Sequence, residues 1–167
     1  MNLHIRPVKL EDAEAIVNIF NPIIEAGIYT VFDTPFTIEA ERDYIENLSP
    51  RSTFFVAVDQ DSDKIVGFQS MDPFATYTQA FDHVGVIGTY VDLSQRRKGI
   101  AHALFEASFE AVKALGYEKI FTFIRGDNPT ALNTYMRHGF RIIGTAQQHA
   151  KIRGKYIDEI VVEKILQ

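Results

Sequence analysis

Between Val91 and Ala101 the chain reads Val-Asp-Leu-Ser-Gln-Arg-Arg-Lys-Gly-Ile-Ala, so three cations, a glycine and an alanine join a strand-like run to a helical one. The first turn of a helix has amides without intrahelical partners and carries the positive end of the macrodipole. Phosphate is the natural ligand of such an end. Gly99 and Ala101 would let a pyrophosphate approach the backbone, while Arg96, Arg97 and Lys98 would add charge-assisted hydrogen bonds. A solvated basic helix start is the plainer account of the same residues. The stretch contains neither the Gly-x-Gly-x-x-Gly of a dinucleotide fold nor a P-loop.

A second group of residues could complete such a site. Asn128-Pro129 reads as a helix cap followed by proline at the first helical position, and His138-Gly139-Phe140 ends that helix. Tyr135 lies nearly two turns beyond the cap, on the same face as Asn128, where its phenol could donate a proton. The alternative is a half-buried aromatic with its hydroxyl bonded to water or backbone.

The elements that would hold these residues follow from periodicity. Residues 3–5 alternate as a short strand, and residues 10–20 are apolar at helical spacing behind acidic residues. The period lapses from Asn21-Pro22 to Thr37, with Gly27 and Asp33-Thr34-Pro35 as breakers. Residues 39–48 predict a helix capped by Thr37, then residues 53–58 and 64–71 two strands around an Asp-rich turn. The aromatic stretch 72–82 leads into a strand at 83–91, where Gly85 and Gly88 mark a bulge or a close approach. A helix over 97–115 and a strand over 119–124 complete a βαβ unit, and two strands, 141–152 and 156–165, end the chain.

Arg96-x-x-Gly99-x-Ala101 resembles the Gln/Arg-x-x-Gly-x-Gly/Ala signature of the GCN5-related N-acetyltransferase (GNAT) superfamily. Asn128-x-x-Ala131-x-x-x-Tyr135-x-x-x-Gly139-Phe140 is similar to its second pattern. The resemblance implies an α+β fold: one domain, residues 1–167, with a central mixed, mostly antiparallel twisted sheet splayed at the cofactor strand and flanked by about four helices. It implies acetyl-CoA as acetyl donor, bound by Thr89, Tyr90, Val91, Arg96, Arg97, Lys98, Gly99, Ile100, Ala101 and Asn128, with Tyr135 protonating the departing sulfur. The loop carrying Tyr29, Phe32 and Asp33 would shape the acceptor pocket.

The opening and this loop look like the phosphinothricin and L-amino-acid N-acetyltransferase branch, which implies a small primary amine, an amino acid or a compound like one, as acceptor. A protein N-terminus or lysine is the alternative acceptor. That branch often carries Glu-His in the strand before the cofactor stretch, and here Val86 and Ile87 stand there. A non-catalytic acyl-CoA-binding module is therefore a further alternative. Replacement bases are His83 first, for its near-neutral pKa, then Asp72, Asp82, Glu25 and Asp33. Arg97 stands where many members of the family have glycine.

Composition bounds these expectations. With 167 residues, 46% of them apolar, the chain suits one core. The net charge of −5 argues against general nucleic-acid binding, so the Arg-Arg-Lys cluster needs a local ligand. The absence of cysteine excludes a cysteinyl acyl-enzyme, and five histidines without metal spacing predict no metal. No apolar run or leader points to a membrane, which leaves the cytoplasm as expected location and a homodimer as expected partner state.

Overall fold

The computed structural model describes residues 1–167. Seven strands form one sheet in the order β1-β2-β3-β4-β5-β7-β6: β1 (Leu3–Pro7), β2 (Thr53–Asp59), β3 (Lys64–Pro73), β4 (Val84–Val91), β5 (Lys119–Arg125), β6 (Arg141–Ile152) and β7 (Lys155–Ile165). All neighbours are antiparallel except β4 and β5. The four helices are α1 (Ala13–Ala26), α2 (Ile38–Glu46), α3 (Ile100–Ala114) and α4 (Pro129–Arg137).

Because side chains alternate across a strand, register sorts the sheet into two faces. On β3 and β4 the pairs Phe68↔Tyr90, Ser70↔Gly88 and Asp72↔Val86 share one face, and Gln69↔Thr89 and Met71↔Ile87 share the other. The first packs beneath α1 and α2, in a core holding Phe20, Ile24, Ile45, Phe54 and Phe68. The second packs against α3 and α4, with Met71, Ile87, Phe105 and Tyr135.

The parallel register of β4 and β5 lasts three pairs, Val84↔Lys119, Gly85↔Ile120 and Val86↔Phe121. Beyond Val86 the two strands part, while β5 stays paired with β7 as far as Arg125↔Glu159. The sheet is thus split over Ile87–Val91, and backbone groups of β4 that face away from β3 have no strand partner there. Neither Gly85 nor Gly88 is a bulge, since the β3–β4 register runs unbroken through both. Gly85 is instead a close approach: the Met71 thioether occupies the space a Cβ would need.

Two differences from the expected boundaries have a clear physical reason. The first helix does not stop at Asn21 but continues through Pro22 to Gly27, which closes it at φ 72°. An interior proline costs roughly 3 kcal/mol. Ile23 and Ile24, 2% and 1% exposed, offset that cost by burying side chains worth about 1.5–3 kcal/mol each. Asn21 pins the loop that follows, donating to the Phe36 carbonyl and accepting from the Phe36 amide, both at 2.9 Å. Helix α3 begins at Ile100 rather than Arg97, because Arg97 and Gly99 have φ of 62° and 77°, outside the right-handed helical region. The Thr37 cap stands as expected, its hydroxyl accepting from the Ala40 amide at 3.0 Å.

Candidate active site

The split in the sheet connects a surface cradle on one face to an aromatic cavity on the other. At the cradle, the Asp92 carboxylate accepts from the Ser94 amide at 2.8 Å and starts a 3-10 turn, Leu93–Gln95, that leads to the head of α3. Ala103 is the first residue whose amide turns back into the helix, on the Gly99 carbonyl at 3.1 Å. The amides ahead of it are available to an anion, and the position a Gly99 Cβ would occupy is open, with nothing within 4 Å.

Arg97 sits in the left-handed region that glycine adopts without cost, with its side chain exposed. Lys98 donates to Gln95 Oε1 at 2.8 Å, and the Arg96 guanidinium lies 5.0 Å from the centre of the Tyr29 ring. Ile100 is buried and packs near Val91, so the cradle is anchored to the sheet through both. Ala101 follows Ile100 in the first turn of α3. These features fit a pyrophosphate: free amides, open space at the glycine, and cations on the rim.

At the split, Asn128 divides its amide. Its oxygen caps α4 by accepting from the Ala131 amide at 3.2 Å, and its nitrogen donates to the Tyr29 carbonyl at 3.3 Å, tying the loop after α1 to α4. Tyr135 projects from α4 into the core against Phe105 and Phe140. Its hydroxyl lies 2.9 Å from Thr89 Oγ1, which accepts from Gln69 Nε2 at 2.8 Å. With Gln69 donating to it, Thr89 can donate a hydrogen bond of its own to the phenol oxygen and leave the Tyr135 proton for the cleft. Burial pushes the Tyr135 phenol far above the ordinary tyrosine range, so it holds its proton at any working pH.

On the other face lies a cavity of about 510 Å³. Phe20, Phe32, Phe36, Phe54, Phe68 and Tyr90 supply apolar walls, and Tyr29, Thr89 and Tyr135 also reach it. Val86 and Ile87 line it too, so the positions where the resembled branch often carries Glu-His hold no proton-transfer group. Three carboxylates stand among the lining residues: Glu41 from α2, Asp72 from β3 and Glu159 from β7. Glu41 and Glu159 are only 6% and 7% exposed.

Burial pushes the Glu41 carboxyl up with no opposing cause. Burial also pushes Glu159 up, against the pull of His149 and Arg125. Asp72 accepts from the Tyr44 phenol and the Ser52 hydroxyl, both at 2.6 Å.

Of the residues expected to meet the acceptor, Tyr29 and Phe32 line the cavity, whereas Asp33 is exposed, bonded by the Thr34 hydroxyl at 3.1 Å, and does not. His83 is a correction as well. It is exposed just before β4, its carbonyl engaged by the amides of Glu118 and Lys119, and it is absent from the cavity wall because the strand carries the chain away from it. Asp82 and Glu25 are likewise exposed and outside, and only Asp72 of the candidate bases reaches the cavity. Glu41 and Glu159 were missed, although each had a signal. Glu41 is four residues before Ile45 on one helix face, and Glu159 is two residues after buried Ile157 on one strand face.

A cradle for phosphates, a split strand to hold an extended arm and a buried phenol at its end define a site for transfer from an acyl carrier. Residues 15–140 match the model of the acetyltransferase (GNAT) family, and the chain belongs to that family of N-acetyltransferases. The phosphinothricin N-acetyltransferase of Streptomyces coelicolor is 24% identical over 166 residues, covering 98% of this chain and 96% of its own. An N-acetyltransferase from Staphylococcus aureus Mu50 superposes with a TM-score of 0.92 at 26% identity, over 100% of both chains. A GNAT superfamily phosphinothricin acetyltransferase from Sinorhizobium meliloti, solved in complex with acetyl-CoA, shares the fold with a TM-score of 0.90 at 20% identity, over 99% of this chain and 89% of that one.

Proposed function

We propose that this chain transfers the acetyl group of acetyl-CoA directly to the primary amine of a small molecule. The observation that carries the proposal is the two-sided cleft: Tyr135 holds a proton on the face of the cradle, and partnerless buried carboxylates line the opposite face. Arg96, Arg97, Lys98, Gly99, Ile100, Ala101 and Asn128 would hold the donor, with the backbone of Thr89, Tyr90 and Val91 along its arm. When bound, acetyl-CoA supplies a thioester whose carbonyl carbon accepts the amine and whose sulfur leaves.

The chain's own residues handle the protons and charge. An amine arrives as an ammonium, and Glu41, which has no charged partner of its own, takes its first proton and frees the nitrogen lone pair. Backbone amides of β4 that face the split are donors for the oxyanion formed as the C–N bond closes. Tyr135 gives its proton to sulfur as the C–S bond breaks, and the second proton of the amine leaves through solvent to restore the phenol. No acyl-enzyme is needed.

A panel of small primary amines assayed by release of free thiol tests this reading. Thiol release with any of them supports it; acetyl-CoA raising Tm while no amine releases thiol favours the non-catalytic module. The base has its own signature. As a base works only when deprotonated, kcat/KM should rise with pH through the raised pKa of Glu41, an acid limb above the ordinary carboxylate range. Glu41→Gln should remove that limb and lower kcat by about 10²-fold, whereas a limb that disappears only in Glu159→Gln moves the role to Glu159. The proposal also takes the protein to be cytoplasmic and to form a homodimer, which gel filtration reads directly.

A further inference from the structure

The acceptor cavity has a charge balance unsuited to the amino-acid acceptor that the family resemblance implies. Glu41, Asp72 and Glu159 all line it, and Arg125 is the single Lys or Arg in its wall. That guanidinium is 4% exposed and already committed. It donates to both oxygens of Asp127 at 2.8 Å, and to the carbonyls of Gly27 and Thr30 at 3.0 Å. Its charge is thus neutralised by Asp127, and of its five N–H donors two serve Asp127 and two serve the loop that closes the cavity.

Other basic side chains near the site are absent from the cavity wall. Arg96 stacks on Tyr29 at the cradle, where donor phosphates would meet it. Arg51 stacks on Tyr117 and donates to the Asp82 carbonyl at 2.7 Å. His149 stacks on Phe123, beside Glu159, without reaching the wall. Much of the remaining wall is aromatic, and its π faces favour a cation over an anion. Phe20 lies 4.5 Å from Tyr90 and 5.3 Å from Phe36, ring centre to ring centre, so this apolar wall is continuous.

From this juxtaposition of three carboxylates, aromatic walls and an arginine already paired with Asp127, we propose that the acceptor is a carboxylate-free primary amine on an apolar or aromatic body, and that free α-amino acids are poor acceptors. An α-carboxylate entering the cavity would find its one cation already paired with Asp127 and would lie among like charges, an arrangement that discriminates by repulsion. An ammonium finds the reverse: a proton acceptor in Glu41 and counter-charges in Asp72 and Glu159. The proposal rests on the assignment of this cavity as the acceptor side of an acetyltransferase.

Matched pairs that differ only in the carboxylate test it: phenethylamine against phenylalanine, tyramine against tyrosine, cadaverine against lysine, each with acetyl-CoA and thiol release as readout. The amine of each aromatic pair should exceed its amino acid in kcat/KM by at least about tenfold. Phenylalaninamide, larger than phenethylamine but without the negative charge, should recover much of the lost rate, which separates charge from size. Glu159→Gln should narrow the gap, raising KM for the amine while leaving the Tm increment from acetyl-CoA unchanged, so that folding and donor binding are controlled.

Amino acids used as well as or better than their amines, or a gap that phenylalaninamide and Glu159→Gln leave intact, would overturn the proposal while the acetyltransferase reading stood. No thiol release from either member of any pair, with the Tm increment intact, would overturn both.

Discussion

Gly99→Glu is expected to abolish acetyl-CoA binding. Gly99 sits at φ 77°, where an L residue carries about 1–2 kcal/mol of strain, and directly precedes the free amides of α3. A glutamate there projects bulk and negative charge into the open space that the pyrophosphate would take. Both losses act on the same contact, so affinity should fall by more than about 10²-fold, the order expected when charge-assisted bonds are replaced by like-charge repulsion. Gly99→Ala separates the causes, because it adds the strain without the charge and should cost about tenfold or less. Titration calorimetry reads both variants, and the shared backbone strain should lower Tm without ligand by only a few degrees and by about the same amount in each. Unchanged affinity in Gly99→Glu would remove the donor from this cradle.

Tyr135→Phe should separate chemistry from binding. The phenyl ring keeps its packing against Phe105 and Phe140 and loses only the hydroxyl 2.9 Å from Thr89. A general acid contributes about 10²–10⁴-fold, so kcat should fall into that range while the Kd for acetyl-CoA stays within about twofold. Stability should drop by about 1 kcal/mol, the net worth of one hydrogen bond. Thr89→Val is the companion variant: it leaves the phenol in place without its partner, and an intermediate kcat would tie the Gln69–Thr89–Tyr135 chain to proton delivery. A Tyr135→Phe enzyme with full kcat would show that the thiolate leaves unaided.

The proposed donor side of this protein was legible before folding because its parts are local. Asn128 caps the helix that follows it, Thr37 does the same, and Gly99 lies one residue before the helix whose amides it exposes. Such features depend on neighbours within four residues, so residue type and spacing determine them. Even here one local detail needed the backbone: Arg97 resists a helical assignment because it has a left-handed φ, and nothing in its chemistry announces that.

Helix α1 shows the limit of local rules. Pro22 and the irregular composition after it argue for a break, yet two isoleucines buried against the sheet carry the helix on to Gly27.

The acceptor side could not be read in that way. Glu41, Asp72, Arg125 and Glu159 come from α2, β3, β5 and β7, and each alone has the composition of a solvated polar residue. His83 was the better candidate base by intrinsic pKa, but the start of β4 lies outside the cavity, and intrinsic pKa says nothing about position. The sequence by itself therefore determined the family and acetyl-CoA as the donor, and it singled out Tyr135 as the proposed acid. Only the tertiary structure decided which charges face the acceptor, because strand register and the split between β4 and β5 bring together residues more than a hundred positions apart, and burial among them shifts their chemistry.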